Sequence, residues 1–269
     1  MTDAVVIVLR EVLEAMLLIC MLMASSTAMG VRFRWLVLAL ILGVAGAGLY
    51  ALSLEAISMS FEGFGQEIVN SMLLIAIAVL LAAHNFLAVR QLKDLSHHTS
   101  YLLLAIVCIG AVSMSVTREG AEIYLYAYAY GVLASNMTSV FSGGAIGVGI
   151  GLSIGTFFYY SLKSLKRRTR LLTCCVLALV LAAGMVGQAA LYLSQADILP
   201  AQQALWDSSA VLSESSILGE LLQAAIGYEA SPTLTQVYLY IGSILLTLVA
   251  MASAWLINHK HTANDAEDA

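Results

Sequence analysis

Two arginines and four glutamates recur in one five-residue arrangement inside apolar sequence, as Arg10-Glu11-Val12-Leu13-Glu14 and Arg118-Glu119-Gly120-Ala121-Glu122. On a helix, residues three and four apart share a face, so each motif gathers one guanidinium and two carboxylates into one stripe. A charged side chain at the centre of a bilayer costs about 2.5–3.5 kcal/mol even on the lenient insertion scales, unless it faces a protein interior, a partner or water. This chain places six of them there in two matching sets. Arg–Glu ion pairs that merely fix helix packing are the plain alternative. They account for one carboxylate per arginine and leave one glutamate over in each motif.

Glu11, Glu14, Glu119 and Glu122 are hard oxygen donors, with no thiolate or imidazole in the set. Such donors suit a hard cation, and ferric iron is the hard extreme among common biological metals. Four ionised carboxylates against two guanidiniums leave a formal charge of -2, which a bound cation offsets. Arg10 is expected to pair with Glu14 and Arg118 with Glu122, keeping the empty site from being uncompensated.

These side chains need a membrane-embedded helical frame to hold them. The 269 residues are 61% apolar and 11% charged, with a mean hydropathy of +0.90, far from the balance of a soluble domain of this size. A spanning helix takes about 20 apolar residues. Seven stretches qualify, near 3–26, 34–56, 66–90, 99–131, 140–162, 171–194 and 234–257. The expected fold is therefore an all-α membrane protein of seven transmembrane helices, a single domain over 1–258. The first span carries three charges and lacks a basic n-region, so it reads as a retained helix rather than a cleaved signal.

Outside the motifs the basic residues are Arg32, Arg34, Arg90, Lys93, Lys163, Lys166, Arg167, Arg168, Arg170 and Lys260. They fall in the loops after the first, third and fifth spans and in the tail. By the positive-inside rule this puts the N-terminus outside and the C-terminus in the cytoplasm. Asp3, Glu55, Glu62, Glu67, Asp197, Asp207, Glu214, Glu220 and Glu229 then share the outer face, which should concentrate cations. Counting helical rise from the ends brings both motifs to the outer half on antiparallel helices. Spans one to three (about 1–95) and four to six (99–195) form two inverted three-helix repeats, each opening with the motif, and the seventh helix is an addition. A Gly-Gln dipeptide, Gly65-Gln66 and Gly187-Gln188, is a weak further echo between the halves.

Around this frame, Glu67 joins the candidate metal ligands as an entrance carboxylate, or serves as an acid favouring a helix N-terminus. Gly143, Gly147, Gly151 and Gly155 form a small-residue stripe for close helix contact. Tyr124, Tyr126, Tyr128 and Tyr130 point around a helix, and the later ones suit the membrane interface. Residues 197–232 carry Leu218, Leu221, Leu222 and Ile226 ahead of Gly227, the pattern of an interfacial amphipathic helix with a glycine cap, positioned to lid the site or dock a partner. The tail, 259–269, has the polar composition of a disordered segment. Cys20, Cys108, Cys174 and Cys175 read as packing residues. His84 stands alone inside a span, while His97 lies in a loop, and a bis-His haem would need two such buried histidines. No HExxH motif or buried Ser/His pair points to an intramembrane enzyme.

Paired Arg-Glu-x-x-Glu motifs in the first and fourth spans of a seven-span protein resemble the iron permease family, the oxidase-dependent iron transporters of fungi and bacteria. Leu205-Trp206-Asp207-Ser208-Ser209, Gly219, Leu222, Gly227-Tyr228 and Pro232-Thr233 before the last span look like that family's stretch in the same place, as does Gly65-Gln66-Glu67. Departures are Val12, Ala121 and Asn70, which leave the carboxylates intact. The resemblance implies iron import across the cell inner (cytoplasmic) membrane, with iron as transported substrate and no permanently bound cofactor. It assigns iron binding to Glu11, Glu14, Glu119 and Glu122, with Arg10 and Arg118 as motif partners. It also implies a separate chain as partner, an oxidase or a periplasmic iron- or copper-binding protein. Membrane lipid surrounds the chain, and no nucleic acid partner is expected. Two other readings stay open: a permease for another cation such as lead or manganese, and a non-transporting docking subunit for periplasmic redox proteins.

Overall fold

The structure is a computed structural model that describes residues 2–91, 98–133, 137–214 and 216–267; Lys93 and His97 lie outside them. Among the described residues nine α-helices follow in order: α1 (Thr2–Ala28), α2 (Arg34–Leu52), α3 (Leu54–Met59), α4 (Gly65–Gln91), α5 (His98–Tyr126), α6 (Met137–Ser164), α7 (Arg167–Gln195), α8 (Ile217–Ile226) and α9 (Leu234–Glu267). A 3-10 turn (Phe61–Gly63) and a π-helical turn (Ala127–Leu133) complete the helical elements among the described residues. The second span is expected to reach residue 56, but it breaks at Ser53 into the short α3. The polar tail continues α9 as far as Glu267, where its composition favours disorder. A helix already nucleated by the apolar stretch needs only one further hydrogen bond per residue to extend.

Six helices among the described residues are long and apolar enough to cross a membrane: Arg34–Leu52, Gly65–Arg90, Tyr101–Gly131, Met137–Ser164, Arg167–Gln195 and Leu234–Leu256. The seventh expected span, α1, is 27 residues long but contains Arg10, Glu11 and Glu14, so composition alone does not place it in that set.

Two tight seams organise the bundle. Along the first, α6 lies parallel to α1: a Cβ on Gly147 would meet Val5 O and Leu9 N, one on Gly151 would meet Val12, and one on Gly155 would meet Met16. The Cys20 thiol closes the seam by donating to Gly155 O at 3.1 Å. Along the second, α2 lies parallel to α5, with Gly43 against Val116, Gly46 against Thr117 and Gly120 against Ala47. Thr117 Oγ1 donates to Gly43 O at 3.3 Å. α1 packs on α5 and α4 on α7 across the middle. Leu18, Leu22, Leu81, Leu104, Cys108 and Cys174 belong to the central hydrophobic core. All four cysteines are free and buried, which fits packing residues.

The register gives the bundle two chemically different ends. At one end lie Asp3, Glu55, Glu62, Glu67 and the segment 197–233. At the other lie Arg32, Arg34, Arg90, Lys163 and Arg167, and Arg167 Nε donates to Ala28 O at 2.8 Å, placing a cation on the C-terminus of α1. We call these the acidic and the basic end.

Residues 204–233 form a loop closed at its neck, where Leu205 N donates to Pro232 O and Ser208 N to Ala230 O, both at 2.8 Å. Inside it, Ser216 caps α8 by accepting from Gly219 N at 3.0 Å. Gly227 ends α8 in the left-handed conformation (φ 68°) with its backbone against Gly184 of α7. Gly184 is about 16 Å in from the end of α7 at helical rise. Tyr240 of α9 also donates to Ile226 O at 3.1 Å. The amphipathic helix therefore does not rest flat at the interface; its C-terminal end reaches into the bundle, where a glycine pair lets two backbones touch.

The seam makes a specific prediction. Gly147→Ala should lower the thermal unfolding midpoint of the detergent-purified chain, because the new methyl meets backbone of α1. Gly149→Ala, which meets nothing within 4 Å, should leave it unchanged or raised, since alanine is favoured over glycine in a helix by about 0.5–1 kcal/mol.

Candidate metal centre

α1 starts at the acidic end and α5 finishes there, so the two motifs meet on antiparallel helices. Glu11 is about 14 Å along α1 from Thr2, and Arg118 about 12 Å short of Tyr126 at the end of α5. At that depth the carboxyl oxygens of Glu11, Glu14 and Glu119 lie within 4.8 Å of one another. The three side chains are buried, Glu11 and Glu119 to 3% exposure.

Arg118 binds them together. It is 1% exposed. Its Nη1 donates to Glu119 Oε1 at 2.6 Å and to Glu14 Oε2 at 3.1 Å, and Nη2 pairs with Glu122 Oε1 at 3.2 Å. Arg10 Nε donates to Glu14 Oε1 at 3.3 Å and lies 4.0 Å from Glu11 Oε1. The expected pairs within each motif are thus present. In addition Glu14 is held by both arginines, which links the motifs to each other. Glu11 Oε2 and Glu119 Oε2 remain buried without a hydrogen-bond partner. The Glu11 and Glu119 carboxyl groups lie within hydrogen-bond reach of each other, and oxygens gathered in this way in a buried carboxylate trio are what a hard cation would bridge.

Glu122 sits to the side of the trio. It is held by Arg118, and its side chain is 22% exposed. Glu67 is not in the trio; it stands in the first turn of α4 at the acidic end, with Oε2 buried and unpartnered.

Three residues near the motifs go unmarked in the sequence. Tyr192 Oη of α7 donates to Glu122 Oε1 at 3.5 Å. Tyr50 of α2 is buried, and its hydroxyl makes no hydrogen bond. Glu220 of α8 faces Arg10; burial lifts its carboxyl above the ordinary range and the Arg10 charge pulls it back. Two are single tyrosines near span ends, which read as interfacial anchors, and the third is one acid among many. Only contacts between distant helices mark them out. By contrast Tyr124 stacks on Tyr128 and Tyr126 packs against Tyr130, away from the trio. The Gly-Gln echo is not an equivalence of the halves: Gln66 Nε2 donates to Ser58 Oγ at the α3–α4 corner, whereas Gln188 is half-buried within α7, with Oε1 buried and unpartnered. Glu62 is exposed in the turn before α4 with φ 61°, a turn acid.

In class this is a multi-pass helical membrane protein whose charged residues converge on a polar centre between two antiparallel helices. Residues 6–261 match the model of the Iron permease FTR1 family, and the chain belongs to that family. Its role is accordingly that of an iron transporter, with iron as the transported ion. No curated protein and no solved structure matches the chain.

The ion-pair geometry predicts that Arg118→Ala destabilises far more than Arg10→Ala. Removing one member of a buried charge network costs about 3–5 kcal/mol, whereas the Arg10 side chain is 32% exposed and its loss can be met by water. Arg118→Lys should not restore stability, because one ammonium cannot reproduce contacts made from both Nη atoms. Unfolding midpoints in detergent, compared across the three variants, check this.

Proposed function

We propose that the chain imports iron across the cytoplasmic membrane and binds it as ferric ion at Glu11, Glu14 and Glu119, with Glu122 as the fourth motif carboxylate. The observation that carries this reading is the convergence of three buried carboxylates from two helices, with one oxygen of Glu11 and one of Glu119 left without a partner. As a trivalent ion enters, its charge replaces that of the arginines: Glu14 is released from Arg10 and Arg118, and Arg118 retains Glu122. The arginines thus act as counter-ions of the empty state, and the site is never a bare cluster of buried anions.

The same proposal includes α1 as a seventh span, with the N-terminus outside and the C-terminus in the cytoplasm. In support, α1 follows α6 in parallel from Val5 to Cys20, about 22 Å of helix at 1.5 Å per residue, and α6 is itself of spanning length. The halves α1–α2–α4 and α5–α6–α7 are read as inverted repeats. Exchanging them turns the α1/α6 seam into the α5/α2 seam and leaves the α4/α7 and α1/α5 contacts as they are, the pattern expected of a pseudo-two-fold axis in the membrane plane. The acidic end then faces outward, where a separate oxidase or periplasmic iron- or copper-binding chain would deliver the ion.

Uptake of radiolabelled iron by cells expressing wild type or Glu11→Gln/Glu119→Gln, with membrane levels matched, tests the reading. Loss of uptake in the double variant is expected, and excess manganese or lead should leave wild-type uptake of iron largely intact. Equal uptake in both would reduce the motifs to structural ion pairs and favour a docking subunit. Strong competition by lead or manganese would reassign the cargo.

A further inference from the structure

Where the loop 204–233 meets α7 and α9, the bundle leaves a cavity of about 320 Å³ at the acidic end, and none of the motif residues lines it. Its lining changes with depth. On α9 it follows one face, Gln236, Val237, Tyr240 and Ile241, from the start of the helix to about 10 Å within it at helical rise. At the shallow end stands Glu229, whose Oε2 accepts from Gln236 Nε2 at 2.7 Å. At the deep end Tyr240 donates to Ile226 O at 3.1 Å and faces Gly187 of α7, where a Cβ would come within 3.8 Å of its ring.

The polar end is held in place and lacks a positive charge. Gln236 is buried, and its Oε1 accepts from Thr233 N at 2.6 Å, which turns Nε2 toward Glu229. No Arg or Lys pairs with Glu229 among the described residues. The hydroxyls of Tyr228 and Tyr240 are engaged with Leu212 O and Ile226 O, so these rings offer the cavity carbon and π-surface rather than a hydrogen bond. Trp206, 48% exposed, adds a third ring. A carboxylate without a counter-ion among aromatic rings suits an ammonium group, by charge and by cation–π attraction. The deep end suits hydrocarbon: Ile241 is exposed, and Leu245 and Leu248 continue its row down α9, exposed as well.

We propose that this cavity binds the headgroup of a zwitterionic phospholipid ending in an ammonium, with Glu229 and the rings of Trp206, Tyr228 and Tyr240 around the nitrogen and an acyl chain along Ile241, Leu245 and Leu248. The cavity takes a headgroup and not a whole lipid, so the chains lie outside it on α9. An anionic headgroup would meet Glu229 with no cation to offset the repulsion. The bound lipid braces the end of α8, where Gly227 touches Gly184, against α9. The site is independent of the cargo bound at the motifs.

The full chain purified in detergent, supplied with phosphatidylethanolamine or with phosphatidylglycerol of the same acyl chains, tests the site by native mass spectrometry and by the thermal unfolding midpoint. Wild type should retain one phosphatidylethanolamine and unfold at a higher temperature with it, and phosphatidylglycerol should do neither. Glu229→Gln keeps an oxygen to accept from Gln236 and removes only the charge; it should weaken phosphatidylethanolamine binding by about tenfold or more. Gly187→Leu, whose Cβ has nothing nearer than Tyr240, should fill the deep end and abolish the retained lipid. Equal binding of the two lipids, or wild-type binding by both variants, would overturn the site. The same midpoint shift from soluble ethanolamine would overturn the lipid and make a free amine the ligand.

Discussion

The guanidinium of Arg118 is the point on which the charged centre depends. It is one of the most deeply buried side chains of the protein, and it reaches three carboxylates, two on its own helix and one, Glu14, on α1. A guanidinium in that position is tolerable only because it is surrounded by acids, and the acids are tolerable only because it is there. Each group on α5 thus needs its counterpart on α1. The contact between the two antiparallel helices is as much an electrostatic requirement as a packing one. Lysine could supply the charge but not the planar fork that spreads it over several carboxylates.

Such an arrangement needs helices that come close at a fixed depth, and the two glycine seams provide it. Neither seam is driven by the hydrophobic effect where the surroundings are lipid; close approach of small residues and dispersion hold it. α6 presses on α1 through Gly147, Gly151 and Gly155, and α2 presses on α5 through Gly43 and Gly46. Each motif helix is therefore backed by a parallel neighbour over several turns. The motif residues themselves contribute, since Gly120 of the second motif receives Ala47 and Val12 of the first lies under Gly151. The residues between the two glutamates of each motif are packing residues, while the glutamates face the other way.

Much of this was legible in the sequence, for a physical reason. Charges inside apolar runs stand out against their background, and helical periodicity assigns them a face, so the all-helical class, the motif pairs and the depth match could all be read. The glycine stripe of α6 was readable in the same way. Its partner seam was not, because Gly43 and Gly46 follow no strict spacing, and only the register against Thr117 shows their use. The inward course of α8 was hidden too: Gly227 reads as a helix cap whether the helix lies on a membrane or enters a bundle, and its contact with Gly184 is a fact about distant chain. Tyr50 and Tyr192 were missed for want of any local mark. A tyrosine near a span end looks the same whether its hydroxyl points to headgroups or to a carboxylate.

Exposure falls along the line from the acidic end toward the trio. Arg10 and Glu122 keep contact with solvent, while Glu11 and Glu119 have almost none. Beyond them, toward the basic end, the core closes completely: Leu18, Leu22, Leu81, Leu104, Cys108 and Cys174 are sealed from solvent, and His84 is buried among these helices. A hydrated or carboxylate-bound cation cannot cross such a layer by side-chain motion alone, because close-packed interiors have no room to yield. Passage to the basic end therefore requires whole helices to shift. The two seams limit how they can do so, since separating either one would expose backbone brought together by glycine. The pairs α1/α6 and α2/α5 then move as units, and the contact that must give way between them is the one made by Arg118 to Glu14. A cation seated among the carboxylates, as proposed for the motif glutamates, would weaken that contact by taking over the arginine's part, so occupancy of the site and freedom of the two helix pairs to move would be tied to the same pair of atoms.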